Sequence, residues 1–137
     1  MNKLPCAGII VFDPNNLSTV IVKTKSCNYV FPKGKRNKNE TIIDNAFREL
    51  EEETGIKKEF IDLIDNEFII EMSYSNKPAI AYFIGIINCK FNKFKFDPQE
   101  LEEVGWCKTN DALNLLIPKR KIVLEKALDK LNNYIQF

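Results

Sequence analysis

The sequence predicts one domain of the α/β class, spanning residues 1–137. Several runs of β-branched and aromatic residues are separated by turn residues, which is the pattern of a sheet. Two other segments, near 42–54 and after Pro118, place apolar residues at helical spacing. With 137 residues and 45% hydrophobic content the chain can bury one sizeable core, so we expect no second domain.

The predicted strands fall into an early group and a late group. The first two flank the turn-forming segment DPNNL and predict a hairpin, and a short third strand leads into a basic loop. Two longer strands then meet at a turn formed by Asn76 and Lys77, and a short strand follows them. In chain order the predicted strands cover 6–12, 18–24, 28–32, 67–75, 78–89 and 101–107.

Both predicted helices have recognisable ends. Thr41 can cap the first helix at its N-terminus, and Gly55 can end it in the left-handed conformation, which places the helix near 42–54. The second helix begins after Pro118. Its apolar residues at helical spacing are Leu124, Ala127, Leu128, Leu131, Tyr134 and Ile135.

The composition excludes several kinds of catalytic site. The chain contains no histidine, which rules out Ser-His-Asp and Cys-His catalysis, histidine-ligated zinc and imidazole bases. Proton transfer therefore falls to a carboxylate or a lysine. The net charge of +1 gives no overall bias towards nucleic acid or membrane. Without a long apolar run or a signal-peptide pattern, we expect a soluble, cytoplasmic protein with no membrane partner.

The first helix carries an acidic face beside its apolar face. At about 100° per residue, Glu49, Glu52 and Glu53 gather on one side of the helix. Arg48 lies directly before Glu49 and one turn before Glu52, so it can pair with a glutamate and hold it in place. A solvated charged face is the simpler interpretation. However, like charges four residues apart oppose the helix, and Mg²⁺ or Mn²⁺ would relieve them.

The segment from Gly34 to Ile56 resembles the signature of the Nudix hydrolase family. That signature is G, five residues, E, seven residues, R-E-U, one residue, E-E, one residue, G-U, where U is a bulky aliphatic residue. The chain matches every fixed position, with Gly34, Glu40, Arg48, Glu49, Leu50, Glu52, Glu53, Gly55 and Ile56. The resemblance implies an α/β/α sandwich, with a mixed sheet between helices and the signature forming a loop-helix-loop. It also implies Mg²⁺- or Mn²⁺-dependent cleavage of diphosphate linkages.

The resemblance assigns roles to the residues of the signature. Glu49, Glu52 and Glu53 would bind the metal ions, with Glu40 as a further ligand or a support for the helix. Arg48 and Glu49 would belong to the catalytic set. The metal ions would bridge the glutamates and an anionic pyrophosphate chain, which the glutamates alone would repel.

Substrate phosphates call for cations next to this helix. Lys33, Lys35, Arg36 and Lys38 lie in the basic loop that precedes it, with Lys33 the leading candidate; solvated lysines are the alternative. Tyr82 could stack on a base or line the substrate cleft, although an aromatic residue in a strand is often part of the core.

A general base is sought outside the helix, because metal-bound glutamates are poor bases. Some Nudix enzymes bring a glutamate from a loop six residues ahead of a tryptophan, and Glu100 stands six residues before Trp106. Glu102 and Glu103 lie close enough in sequence to take this role instead, and an ordinary acidic turn is the remaining interpretation.

Three functions stay open from the sequence. The first is hydrolysis of highly phosphorylated small molecules, either diphosphoinositol polyphosphates or dinucleoside polyphosphates, which the short chain favours. The second is removal of RNA caps, because the run YVFPKGK resembles decapping enzymes. The third is a noncatalytic Nudix-type binding module, which the complete set of signature glutamates argues against.

Overall fold

The computed structural model describes residues 4–136. The helices are α1 (Ile42–Thr54), α2 (Thr109–Leu115) and α3 (Pro118–Ile135), with a short 3₁₀ turn at Lys58–Phe60. The strands are β1 (Cys6–Asp13), β2 (Ser18–Thr24), β3 (Tyr29–Val30), β4 (Lys33–Lys35), β5 (Ile61–Leu63), β6 (Ile69–Met72), β7 (Pro78–Ile87) and β8 (Leu101–Lys108).

The strands form one mixed sheet in which β1 and β7 are central and parallel. The other pairs are antiparallel, and they include the predicted hairpin of β1 and β2. One edge of β1 is shared: its first half pairs with β4, where Cys6 lies opposite Lys35, and its end pairs with β2. This sharing places β4 beside the start of β1.

Helices cover both faces of the sheet, so the predicted α/β/α arrangement is confirmed. Alternate residues of β1 point to opposite faces, as in any strand. Ile9 and Val11 belong to the buried cluster that contains Leu50 of α1. Ile10 and Phe12 belong to the cluster that contains residues of α2 and α3.

Three elements were not predicted from the sequence, namely β4, β5 and α2. The sequence places the residues of β4 in the basic loop, because Lys-Gly-Lys lacks the composition of a strand. They become a strand only through pairing with β1. No helix among residues 4–136 has both the length and the apolar composition needed to cross a membrane.

Candidate active site

Helix α1 presents the glutamates because both of its ends and its apolar face are fixed. The Thr41 hydroxyl accepts a hydrogen bond from the Asp44 N–H at 3.1 Å, as the predicted N-cap requires. Gly55 ends the helix with φ of 82°, and its N–H donates to the Glu51 carbonyl. Phe47 and Leu50 are buried against the sheet. The adjoining acidic face is thereby turned towards β4.

Strand β4 lies so close to α1 that a glycine is required between them. A Cβ atom on Gly34 would fall onto the Glu49 carboxylate, so the absent side chain provides the space that this carboxylate occupies. The neighbouring Lys33 N–H donates to the Glu53 carboxylate at 3.2 Å. The backbone of β4 therefore contacts two of the signature glutamates.

Asn45 also joins α1 to β4, and the sequence analysis did not identify it. Its side chain is fully buried, and its amide donates to the carbonyls of Gly34 at 3.1 Å and Lys35 at 3.4 Å. Its Oδ1 atom is buried without a hydrogen-bond partner among the described residues. The signal in the sequence is a polar residue directly before Ala46 and Phe47 on the apolar side of an amphipathic helix.

Arg48 holds three glutamates and the end of β4 with one guanidinium group. It donates to Glu40 at 2.7 and 3.0 Å, to Glu49 at 2.9 Å and to Glu52 at 3.1 Å. It also donates to the Lys35 carbonyl at 2.8 Å. Its hydrogen bonds hold the pKa of Glu40 below its usual range. Through these contacts one guanidinium joins α1 to the preceding loop and to β4, and its pairing with Glu49 and Glu52 is the one that its spacing predicts.

Burial disfavours the charged forms of Glu49 and Glu53. Burial is the main cause that raises the pKa of Glu53 to about 7, and the negative charges of Glu49 and Glu100 add to it. Burial also raises the pKa of Glu49, against the lowering effect of Arg48. A cation bound between these two groups would offset both effects.

The carboxylates fit a hard cation by their chemistry, although the expected ligands are not gathered in one set. Among residues 4–136, no three histidine, cysteine or acidic side chains are arranged to hold a metal ion. Glu40 and Glu52 are instead paired with Arg48. Glu49 and Glu53 supply the oxygen-only ligands that Mg²⁺ and Mn²⁺ prefer. Glu52, which is 57% exposed, can turn towards them by leaving Arg48.

The three candidate bases lie in different surroundings. Glu100 lies in the turn before β8, where its charge acts on Glu53. Glu102 is the extra residue of a β-bulge, because Lys23 pairs with Glu103 and Thr24 with Leu101. Its carboxylate forms an ion pair with Lys25 at 3.6 Å. Glu102 and Glu103 both line a groove of about 560 Å³ beside Lys23 and Tyr29. Of these three, Glu100 is the one whose charge is among the main influences on the pKa of Glu53.

The predicted phosphate-binding cations are divided between two surfaces. Lys33 and Lys35 alternate with Gly34 on β4. Burial raises the pKa of the Cys6 thiol and the charges of these two lysines oppose that rise, while the Lys33 charge also lowers the pKa of Glu53. Arg36 lines a separate groove with Glu40 and the start of α1. Lys38 is exposed in the loop between them and the helix.

Tyr82 lies in the core, which corrects its assignment to a substrate cleft. Its side chain is fully buried, and its ring packs edge-to-face on Phe31 at 5.4 Å between ring centres. Its hydroxyl donates to the buried Glu71 carboxylate at 3.2 Å. Strand β7 is central, so both of its faces are covered and the ring has no free face for a base.

Sequence comparisons match this chain to known proteins. The family model described as the NUDIX domain matches residues 2–130. The m7GpppN-mRNA hydrolase of Saccharomyces cerevisiae is 33% identical over 107 residues, which are 75% of this chain and 10% of that protein. The mRNA decapping complex subunit 2 of Schizosaccharomyces pombe is 39% identical over 106 residues, covering 76% of this chain and 14% of that protein.

A solved structure shows the same fold over nearly the whole chain. The binary complex of the Caenorhabditis elegans Ap4A hydrolase superposes with a TM-score of 0.83 and 19% identity, covering 93% of this chain and 98% of that one. At this identity the likeness concerns the fold alone. The family model and the fold, together with the complete signature from Gly34 to Ile56, establish that the chain belongs to the Nudix family.

Proposed function

We propose that this chain is a divalent-metal-dependent pyrophosphohydrolase whose substrate is the 5′ cap of RNA. The observation that supports this chemistry is a pair of partly buried carboxylates, Glu49 and Glu53, whose pKa values are raised. They lie beside β4, where Gly34 leaves room for the Glu49 carboxylate. Such a pair is unfavourable alone and becomes favourable around a divalent cation. Mg²⁺ or Mn²⁺ at this place would polarise phosphoryl oxygens and supply an activated water.

The residues of the chain take the following parts in the proposal. Glu49 and Glu53 bind the metal, and Glu52 joins them, while Arg48 and Glu40 hold the helix and its carboxylates in position. Lys33 and Lys35 bind substrate phosphates beside the start of β1. Glu100 removes the proton from the attacking water, because it is the candidate base whose charge reaches Glu53.

The cap is chosen over small molecules on account of the curated relatives. The m7GpppN-mRNA hydrolase of Saccharomyces cerevisiae is 33% identical to this chain, and the mRNA decapping complex subunit 2 of Schizosaccharomyces pombe is 39% identical. The chain spans only 10% and 14% of their length, so their activity is proposed here for this chain and is not transferred. Dinucleoside and diphosphoinositol polyphosphates, favoured by the sequence alone, have the same phosphoanhydride bonds and are the competing substrates.

A substrate panel tests the proposal directly. Purified protein with Mg²⁺ or Mn²⁺ is assayed on capped RNA, the free cap dinucleotide, diadenosine polyphosphates, inositol pyrophosphates and nucleoside triphosphates. We expect the highest kcat/KM on capped RNA and no turnover in EDTA. A higher kcat/KM on a diadenosine or inositol substrate would replace the cap with that class.

Glu52→Gln tests the role of the helix. Glutamine can still accept a hydrogen bond from Arg48, so the fold should remain, while a charged ligand is lost. We expect kcat to fall by about a hundredfold or more, because charge stabilisation by the metal contributes several kcal/mol. Glu125→Gln, which makes the same change at an exposed residue of α3, is the control and should keep the wild-type rate. Equal rates in the two variants would contradict the metal site.

Glu100→Gln tests the base. We expect kcat to fall by about a hundred- to ten-thousandfold with little change in KM, and the acidic limb of the pH profile to flatten. Glu103→Gln, on the groove beside Lys23, should keep both properties. If Glu103→Gln loses them instead, the base is Glu103; if neither variant changes, a helix glutamate is the base.

A further inference from the structure

The segment between β7 and β8 alternates lysine and phenylalanine. Residues 88–100 contain no strand or helix, and Lys90 to Phe96 read KFNKFKF. The three phenylalanines are half-buried, whereas the three lysines are exposed. The segment is therefore an irregular connection with an apolar inner side and a basic outer side.

The inner side of this segment is firmly attached to the domain. The Phe94 ring packs edge-to-face on Phe91 at 5.1 Å and on Trp106 at 6.1 Å, measured between ring centres. The Trp106 indole N–H donates to the Phe91 carbonyl at 2.7 Å. The Lys95 N–H donates to the carbonyl of Thr54 at 3.0 Å, which fixes the segment to the end of α1. The exposed lysines are thus held at defined positions.

Two of these lysines, Lys93 and Lys95, line a groove that begins at the acidic face of α1. The groove has a volume of about 550 Å³, and its lining includes Glu51, Glu52, Lys57, Lys93 and Lys95, with walls formed by Phe91 and Phe96. We call it the lysine groove. Glu52 belongs both to the signature and to this groove, so the groove is continuous with the proposed catalytic centre.

The charges of the lysine groove are available for a ligand. Within residues 4–136, Lys57, Lys93 and Lys95 take part in no ion pair with a carboxylate. The partial negative charge at the end of α1 accounts for a neighbouring cation, but not for three exposed lysines. Glu52 is paired with Arg48, and in the proposed function it would bind a metal ion instead; either cation reduces its repulsion of an anion in the groove.

We propose that the lysine groove binds the RNA chain that follows the cap. A row of exposed lysines beside aromatic walls suits single-stranded nucleic acid, whose phosphates meet the lysines while its bases and sugars contact the rings. The lining of the groove extends from Glu52 of the signature to Phe96 of the β7–β8 segment, so a chain bound there would adjoin a cap held at α1. The choice of RNA rests on the proposed function; the binding of a single-stranded polyanion rests on the groove itself.

The experiment measures binding without hydrolysis. Fluorescence anisotropy with an uncapped, 5′-labelled 20-nucleotide RNA compares wild-type protein, Lys93→Ala/Lys95→Ala and the control Lys77→Ala/Lys126→Ala, at several salt concentrations. The control removes the same charge from exposed lysines elsewhere. We expect the groove variant to lose about tenfold in affinity. The slope of log Kd against log salt should decrease by about 1.4, from two lost phosphate contacts on a single strand.

The result can overturn the inference separately from the proposed function. Equal affinity losses in the groove and control variants would overturn it, as would equal binding of an acidic peptide with the same number of charges. In the hydrolysis assay, the groove variant should raise KM for capped 20-nucleotide RNA and leave the cap dinucleotide unaffected. If the groove variant binds RNA more weakly than the control variant, but the wild-type protein hydrolyses no cap, the proposed function is rejected and RNA binding by the lysine groove is retained.

Discussion

Gly34 allows the close spacing between β4 and α1. In Gly34→Ala, the added methyl group would occupy the place of the Glu49 carboxylate, so the carboxylate or the strand must move. Overpacking of this kind costs about 1–3 kcal/mol of stability. Because the displaced group is a proposed metal ligand, we expect kcat to fall further than this loss of stability explains. Thermal melts and steady-state kinetics measure the two effects.

Gly105 provides the matched control for this substitution. A Cβ atom on Gly105 would meet nothing within 4 Å. Gly105→Ala should therefore melt at the wild-type temperature or slightly higher, because alanine loses less conformational freedom on folding. A Gly34→Ala protein as stable and as active as Gly105→Ala would show that the close approach of β4 to Glu49 is unnecessary.

Glu53 should make the metal-free protein less stable as the pH rises. Its pKa is raised from 4.5 to about 7 in the folded protein, so the folded state binds more protons than the unfolded state in this range. The free energy of unfolding therefore falls between about pH 4.5 and pH 7. In Glu53→Gln this fall should become smaller, since glutamine stays neutral and can still accept from the Lys33 N–H.

Thermal melts in EDTA from pH 4.5 to pH 8 measure this effect. In Glu53→Gln the free energy of unfolding should still fall somewhat as the pH rises, because burial also raises the pKa of Glu49. Glu51→Gln, at an exposed position, should follow the wild-type curve. Parallel curves for wild type and Glu53→Gln would mean that Glu53 is not desolvated in solution.

At the scale of elements, α3 is attached to β6 through a buried charge. The Glu71 carboxylate is 2% exposed; it accepts from Arg120 at 3.1 Å and from the Tyr82 hydroxyl at 3.2 Å, and Lys119 lies 3.7 Å away. Removing one partner of a buried pair leaves an uncompensated charge. We expect Arg120→Met to lower the free energy of unfolding by about 3 kcal/mol, which is roughly 10 °C in Tm for a domain of this size.

Lys130 is the control, because it also ties α3 to the sheet side of the domain. It pairs with Asp65 at 3.5 Å and Glu67 at 3.2 Å, both well exposed. Lys130→Met should change the free energy of unfolding by less than about 1 kcal/mol. Glu71→Gln combined with Arg120→Met should recover part of the lost stability. Equal Tm values for the two single variants would show that the Glu71 pair is solvated.

The elements predicted correctly are those whose signals are local. Helix α1 was placed at its observed bounds because Thr41, Gly55 and the apolar spacing all lie within it or beside it. Strand β4 was missed because its conformation depends on β1, which is distant in sequence. The face on which Tyr82 lies depends on how β7 pairs with its neighbours, and composition does not determine that register.

The same distinction between local signals and distant contacts applies to the candidate site. Residues in one helix have fixed mutual positions, so the pairing of Arg48 with Glu49 and Glu52, and the closeness of Glu49 to Glu53, followed from spacing alone. The contact of Asn45 with β4 and the division of Lys35 and Arg36 between two surfaces did not, because both depend on tertiary packing. Lys57, Lys93 and Lys95 likewise come together only after the β7–β8 segment has folded onto α1.

At the scale of the whole molecule, the parallel pairing of β1 with β7 constrains the order of folding. Cys6 lies opposite Ile80 and Phe12 opposite Ile86, so the central contact of the sheet closes a loop that contains the entire signature. Contacts between residues so distant in sequence form slowly, because the entropy of the loop must be lost before they stabilise the chain. A fragment that ends before β7 would hold all four signature glutamates without the strand that positions β1, and through it β4. The glutamates can be read from a short segment, but their arrangement requires the chain as far as β7.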